Sequence, residues 1–184
     1  YEQFEKVCRD FPDKPAIIYF GKAYTFSQLK EATENLAANL HRLGLKKGDK
    51  AILYLSNCPQ WVMAWFALIR IGAVAVPISP IYTPIDLKYM ANDSGAETVF
   101  CLDTNFGYVT QVLPETGIKR VIVTNLAEPL SWWKRLIGLA FNKIPSGKVA
   151  LGENIFKLRR LLQRDSASSL PPLRVEDEEI FEML

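Results

Sequence analysis

Histidine is nearly absent from this chain, which has His41 and no other in 184 residues. A catalytic or metal-binding pair of imidazoles is therefore excluded, and no His-Glu-x-x-His stretch occurs. The three cysteines, Cys8, Cys58 and Cys101, are odd in number and far apart. They form neither a disulfide framework nor the short paired spacing of a zinc site, so a reducing compartment is expected. Gly-x-Ser-x-Gly and Gly-x-Gly-x-x-Gly are both missing, which removes the nucleophile elbow and the dinucleotide fingerprint. No repeat of fixed period is present. No basic, apolar and cleavage-site leader opens the chain, and the first residue is Tyr1 rather than Met, so an excised piece of a longer protein is expected. A long apolar run is also wanting. Residues 61–78 come nearest, but Arg70 sits mid-window, where a charge costs about 2.5–3.5 kcal/mol on insertion scales. That stretch is read as a buried helix, a glycine stop and a buried strand.

At 49% hydrophobic, the chain can build one sizeable core, in one domain or one lobe. Charge is nearly balanced at net +2 but unevenly spread. Residues 1–131 are neutral. Residues 132–164 carry Lys134, Arg135, Lys143, Lys148, Lys157, Arg159, Arg160 and Arg164 against Glu153, net +7. Residues 165–184 carry Arg174 against Asp165, Glu176, Asp177, Glu178, Glu179 and Glu182, net −5. The basic block either meets an anionic partner, or the two blocks screen each other and face solvent.

The pattern along the chain is alternating. "AIIYFGKAYTF" reads as a hairpin about a Gly-Lys turn, passing directly into a helix. Thr25 and Gln28 have capping-box spacing, and Leu29, Ala32, Leu36, Leu40 and Leu43 form one apolar stripe that stops at Gly44. Strands follow at 51–55, 73–77, 98–102 and 120–124, with helices from Pro59, from Pro84 and near 105–113 between them. Thr83, Pro84 and Asp86 read as N-cap, N1 and N3 of their helix. Strands without polar alternation, separated by helices, predict an α/β fold with a largely parallel sheet covered on both faces. His41 falls in the last turn of the Thr25-capped helix, where a surface position suits it. "IPSGK" (144–148) is superficially similar to a phosphate loop, but Asn142 and Val149 stand where its Gly and Ser/Thr belong, so it is read as a turn.

"YTFSQL" (Tyr24–Leu29) and "IRIGAVAVPIS" (Ile69–Ser79), with "GLKKGDKA", "SNCPQW", "SPIYTP" and "NDSGA" in order between and after them, resemble the N-terminal part of the adenylate-forming acyl-CoA synthetase superfamily. The resemblance covers about residues 10–125. It implies the N-terminal lobe of that fold and, for a longer parent protein, a two-step ligase. A carboxylate attacks the α-phosphate of ATP, pyrophosphate leaves, and coenzyme A takes the acyl group from the adenylate. Such chemistry needs Mg²⁺, a lysine and backbone donors around the phosphates. The family's Ser/Thr/Gly-rich loop, glutamate and lysine for these tasks match nothing here. No catalytic, cofactor-binding or metal-binding residue is therefore carried over, and ATP, Mg²⁺ and coenzyme A are expected to bind the parent rather than this chain.

Residues 132–144, "SWWKRLIGLAFNKI" from Ser131, place Trp132, Trp133, Leu136, Ile137, Ala140, Phe141 and Ile144 on one helical face flanked by Lys134, Arg135 and Lys143. "NIFKLRRLL" repeats the theme. A basic insert here is similar to those of the long-chain fatty acid branch. Trp132, Trp133, Lys134, Arg135, Leu136, Ile137 and Phe141 are candidate contacts to an anionic membrane, with packing against protein as the open alternative. The expected division is a lobe at 1–131, a basic helical insert at 132–164 and an acidic connector at 165–184. The expected parent is a long-chain fatty acid CoA ligase, cytoplasmic and peripheral to the membrane, with fatty acid and coenzyme A as partners and no nucleic acid. The rivals are a ligase for aryl or short-chain acids, and a non-catalytic membrane-surface or scaffold module.

Overall fold

The computed structural model describes residues 1–130, 145–150 and 152–163. Its elements are α1 (Glu2–Asp10), β1 (Pro15–Tyr19), β2 (Lys22–Thr25), α2 (Phe26–Arg42), β3 (Lys50–Tyr54), α3 (Pro59–Ile71), β4 (Val74–Ile78), α4 (Pro84–Ser94), β5 (Thr98–Leu102), α5 (Phe106–Val112), β6 (Arg120–Thr124), β7 (Ile155–Lys157) and α6 (Leu158–Leu161). β1 and β2 form a separate antiparallel ribbon, and the other five strands form a parallel sheet in the order β4-β3-β5-β6-β7.

Alternation along each strand divides the core in two. Ala51 and Leu53 of β3, with Phe100 and Ile122, pack against α2 and α3 through Leu36, Leu40, Ala64 and Leu68. Ile52 and Tyr54, with Val99, Cys101, Val121 and Val123, pack against α4 and α5 through Leu87, Ala91, Phe106 and Val109. Both faces are covered, which is why β5 is buried at every position and shows no polar alternation. Pro77 is tolerated because β4 is an edge strand.

The helix ends agree with their spacing in sequence. Thr25 Oγ1 accepts from Gln28 N at 3.2 Å while Gln28 Oε1 accepts from Thr25 N at 3.1 Å. Thr83 and Asp86 repeat the arrangement at α4, and the Thr83 hydroxyl and amide hold the Asp86 carboxyl below its usual range. Gly72 closes α3 at φ 80, with its N–H on Ile69 O and Leu68 O.

Three features depart from the reading above. α1 was not anticipated; it buries Phe4 and Cys8, and Phe4 stacks on Phe66 at 4.0 Å between ring centroids. The hairpin turns at Phe20-Gly21 rather than Gly21-Lys22, because Tyr19 pairs with Lys22 and leaves those two residues at φ 47 and 76. The stretch expected as a second basic helix begins as β7, parallel to β6, before one turn of α6. The sheet thus takes its fifth strand from within 132–164. α6 is fixed to α2 by Asn39, whose Nδ2 donates to Leu161 O at 2.8 Å and Gln163 O at 3.2 Å, while Arg42 donates to its Oδ1 at 3.0 Å. Leu158 and Leu161 are buried there, so this half of the basic block packs on the lobe.

Gly72→Ala should destabilise by about 1 kcal/mol or more, since φ 80 is disfavoured for any Cβ and the new atom would lie 3.0 Å from Lys47 Cγ. Gly107→Ala, within α5 and with open space around it, should be neutral or stabilising by up to about 1 kcal/mol. Urea denaturation of the two variants checks the pair.

Candidate functional site

In a parallel α/β sheet the carboxyl ends of the strands share one rim, and ligands bind where the strand order reverses. Here that point lies between β3 and β5, because α3 leads from β3 to β4 on one face while α4 returns to β5 on the other. It is closed. Tyr54, at the end of β3 and fully buried, donates its hydroxyl to Tyr82 O, and Asn105 Nδ2 donates to Pro80 O at 2.7 Å. Burial pushes the Tyr54 pKa up, which keeps it a neutral donor. "SPIYTP" therefore lies across the rim at this point: its Pro80 and Tyr82 carbonyls accept from Asn105 and Tyr54, Ile81 stays exposed, and its Thr-Pro end caps α4.

Beside that loop is a polar cluster. Asp103 Oδ1 accepts from Thr104 N at 2.9 Å, and Oδ2 accepts from Asn125 Nδ2 and from Gly147 N, the latter at 3.0 Å. Asn125 Oδ1 accepts from Ala127 N at 2.6 Å. Thr124 Oγ1 donates to Glu128 Oε2 at 2.9 Å and accepts from Gln60 Nε2 at 3.2 Å. Gln60 Nε2 also donates to Asn125 O at 3.0 Å, a carbonyl that can only accept, and this orients the amide and leaves the buried Gln60 Oε1 without a partner.

Two hollows adjoin the cluster. One, of about 350 Å³, lies over the ends of β5, β6 and β7, with Asp103, Asn125, Glu128, Gly147 and Lys157 in its walls. The other, of about 330 Å³, lies between the ribbon, α2 and α3, with Tyr24, Gln28, Gln60, Met63, Arg159 and Leu162. Glu128 borders both.

"PSGK" is packed as structure. A Cβ on Gly147 would fall 1.9 Å from Asp103 O, and its N–H meets a carboxylate where a phosphate loop would need an anion's place free. His41 is exposed in the last turn of α2. Cys8, Cys58 and Cys101 are buried free thiols, each with its pKa pushed up by burial. Among the described residues no three His, Cys, Asp or Glu side chains come together to hold a metal ion, so these residues do not form a Mg²⁺ site. Trp132, Trp133, Lys134, Arg135, Leu136, Ile137 and Phe141 lie outside the described residues. The cluster of Gln60, Asp103, Asn125 and Glu128 was missed by sequence reasoning. Its only local signal is a glutamine just inside a Pro-started helix, since the partners stand 43 to 68 positions further along the chain.

Residues 4–145 match the AMP-binding enzyme family. The chain belongs to that family. It is 34% identical over 137 residues to a long-chain-fatty-acid–CoA ligase of Haemophilus influenzae, covering 74% of this chain and 24% of that protein. It is 36% identical over 132 residues to the ligase of the same name from Salmonella typhimurium, covering 71% and 23%. The chain thus spans about a quarter of the length of these curated relatives. The crystal structure of a long-chain-fatty-acid-CoA ligase from Archaeoglobus fulgidus superposes with a TM-score of 0.74 at 24% identity, covering 98% of this chain and 33% of that one. The fold, a largely parallel α/β sheet with helices on both faces, is that of the N-terminal lobe of the adenylate-forming AMP-binding enzymes.

Gln60→Ala should cost about 1–3 kcal/mol by stripping a buried donor from Asn125 O and Thr124; chemical denaturation measures it. Alkali should act through the thiols. Their folded pKa values are raised, so the unfolded chain loses its protons first, and stability should be full below the ordinary thiol range and fall as pH rises through about 9 and above. Unfolding midpoints from pH 7 to 10, with Cys101→Ala as the control, check the slope.

Proposed function

We propose that this chain is the N-terminal lobe of an AMP-forming long-chain fatty acid CoA ligase, which joins a fatty acid to coenzyme A through an acyl-adenylate with ATP and Mg²⁺ as co-reactants. The observation that carries the reading is the match, over more than two thirds of the chain, to relatives that bear that name. The geometry supports a scaffold role: the quoted family motifs cap helices, build the sheet and cross its rim. The described residues supply the wall of a larger site, and the reacting groups belong to the rest of the protein. We further propose a cytoplasmic enzyme working at a lipid surface, where a long-chain acid partitions. That part rests on the basic, tryptophan-containing stretch at 132–144.

The full-length protein carrying this sequence, given ATP, Mg²⁺, coenzyme A and a panel of acids, should form acyl-CoA fastest with long-chain fatty acids. Equal or faster turnover of aryl or short-chain acids would overturn the substrate class. No turnover of any acid would favour a scaffold. The 184-residue chain by itself should release no fatty-acid-dependent pyrophosphate above a protein-free control.

A further inference from the structure

The amino ends of the parallel strands share a second rim, opposite the one with the polar cluster, and its charge is one-sided where α2 and α3 finish beside β3 and β4. Between Leu36 and Ile85 the chain has Arg42, Lys46, Lys47, Lys50 and Arg70 against a single carboxylate, Asp49. Gly48 N donates to Gly72 O and Val74 N to Asp49 O, each at 2.8 Å, which holds the loop after α2 against the end of α3. Arg42 and Arg70 stand in last helical turns, where helix carbonyls favour cations. Lys46, Lys47 and Lys50 stand past the helix ends, beyond the reach of that account. Asp49 is engaged within the loop, accepting from Lys46 N at 2.8 Å. Glu34 answers Arg70, and Glu97 answers Lys119 and Arg120. Among the described residues no carboxylate pairs with the amine of Lys46 or of Lys50. Like charges gathered this way repel one another until an anion joins them.

The chain itself supplies that anion. Residues 165–184, which lie outside the described residues, carry Arg174 against Asp165, Glu176, Asp177, Glu178, Glu179 and Glu182. The chain reaches them from this rim: Gln163 O accepts from Asn39 Nδ2 at 3.2 Å, and Arg42, in the same last turn of α2, donates to Asn39 Oδ1 at 3.0 Å. From Gln163, Asp165 is at most about 7 Å of chain away and Glu176 at most about 45 Å, so the acidic run can lie on the loop. Tethering gives it an effective concentration on the order of millimolar there, ahead of a diffusing anion of the same charge. The rival anchor within the chain is the basic block at 132–164, but its Lys157 and Arg159 line the hollows at the opposite rim. We infer that the acidic segment 165–184 docks on the basic rim formed by Arg42, Lys46, Lys47 and Lys50. Docking fixes the course of the segment against the lobe, on the side away from the polar cluster.

The test places a nitroxide on the 184-residue chain through Met183→Cys, which alters no charge; the three native thiols are buried. Paramagnetic broadening of backbone amides should centre on residues 42–50, stand well above that on α4, and disappear in 1 M NaCl, where the screening length is about 3 Å. Lys46→Glu/Lys47→Glu and, separately, Glu176→Gln/Asp177→Asn/Glu178→Gln/Glu179→Gln should each reduce it by about fivefold or more, the loss expected when several exposed ion pairs go together. Joining Lys46→Glu/Lys47→Glu to Glu178→Lys/Glu179→Lys should restore it. Unfolding midpoints accompany every variant. If the rim substitutions unfold the lobe, the neutralised segment, which changes nothing in the described fold, decides. Broadening at 42–50 no stronger than on α4, or undiminished in both variants, overturns the docking. Broadening centred on 145–163 overturns it too, in favour of the basic block as anchor. Absence of broadening together with binding to phosphatidylglycerol vesicles that Lys46→Glu/Lys47→Glu weakens overturns it in favour of a lipid contact at the rim.

Discussion

The pairing of β3 with β5 at the centre of the sheet constrains everything around it. Both strands are buried on both faces, so every main-chain polar group must be paired within the sheet and every side chain must meet a helix. α2 and α3 answer one face, and α4 and α5 the other. Because the chain goes from β3 out to β4 and returns past it to β5, the strand order reverses at this pair. A reversal of this kind opens the rim between the two strands, and in this chain the loop after β4 crosses it. The loop is held there by a tyrosine from β3 and an asparagine from the turn after β5.

Beside that loop, open space lies along the rim at the ends of β5, β6 and β7. There Asp103, Asn125 and Gln60 tie together three connections that are distant in sequence. Of the side-chain atoms in these ties only Gln60 Oε1 is buried without a partner. The motifs quoted from the sequence serve here as helix caps and sheet strands.

The basic block divides along the same physical line. Its later part has apolar residues at positions a strand and one helical turn can bury, and Asn39 offers a donor to the carbonyls at the end of that turn. Its cations then stay at the surface while Leu158 and Leu161 go inside. At 155–162 the leucines between the charges decide which side of the stretch packs on the lobe, and Lys157, Arg159 and Arg160 are left exposed.

Local signals settled much of this protein. The hydroxyl-x-x-acceptor spacing of Thr25 with Gln28 and of Thr83 with Asp86 fixed two helix starts. Gly72 fixed a helix end, and the β-branched runs between helices fixed a parallel sheet. These are contacts within a few residues, where spacing alone implies geometry. Tertiary structure decided what spacing cannot express. Strand register moved the hairpin turn onto Phe20, since the pairing of Tyr19 with Lys22 outweighs the local preference for glycine. The sheet edge drew Ile155–Lys157 into a strand, because β6 offered unpaired main-chain groups. The rim cluster exists only once β5, β6 and α3 converge, so a glutamine, an aspartate and an asparagine 22 to 65 residues apart gave no sign of one another until the fold brought them within hydrogen-bond reach.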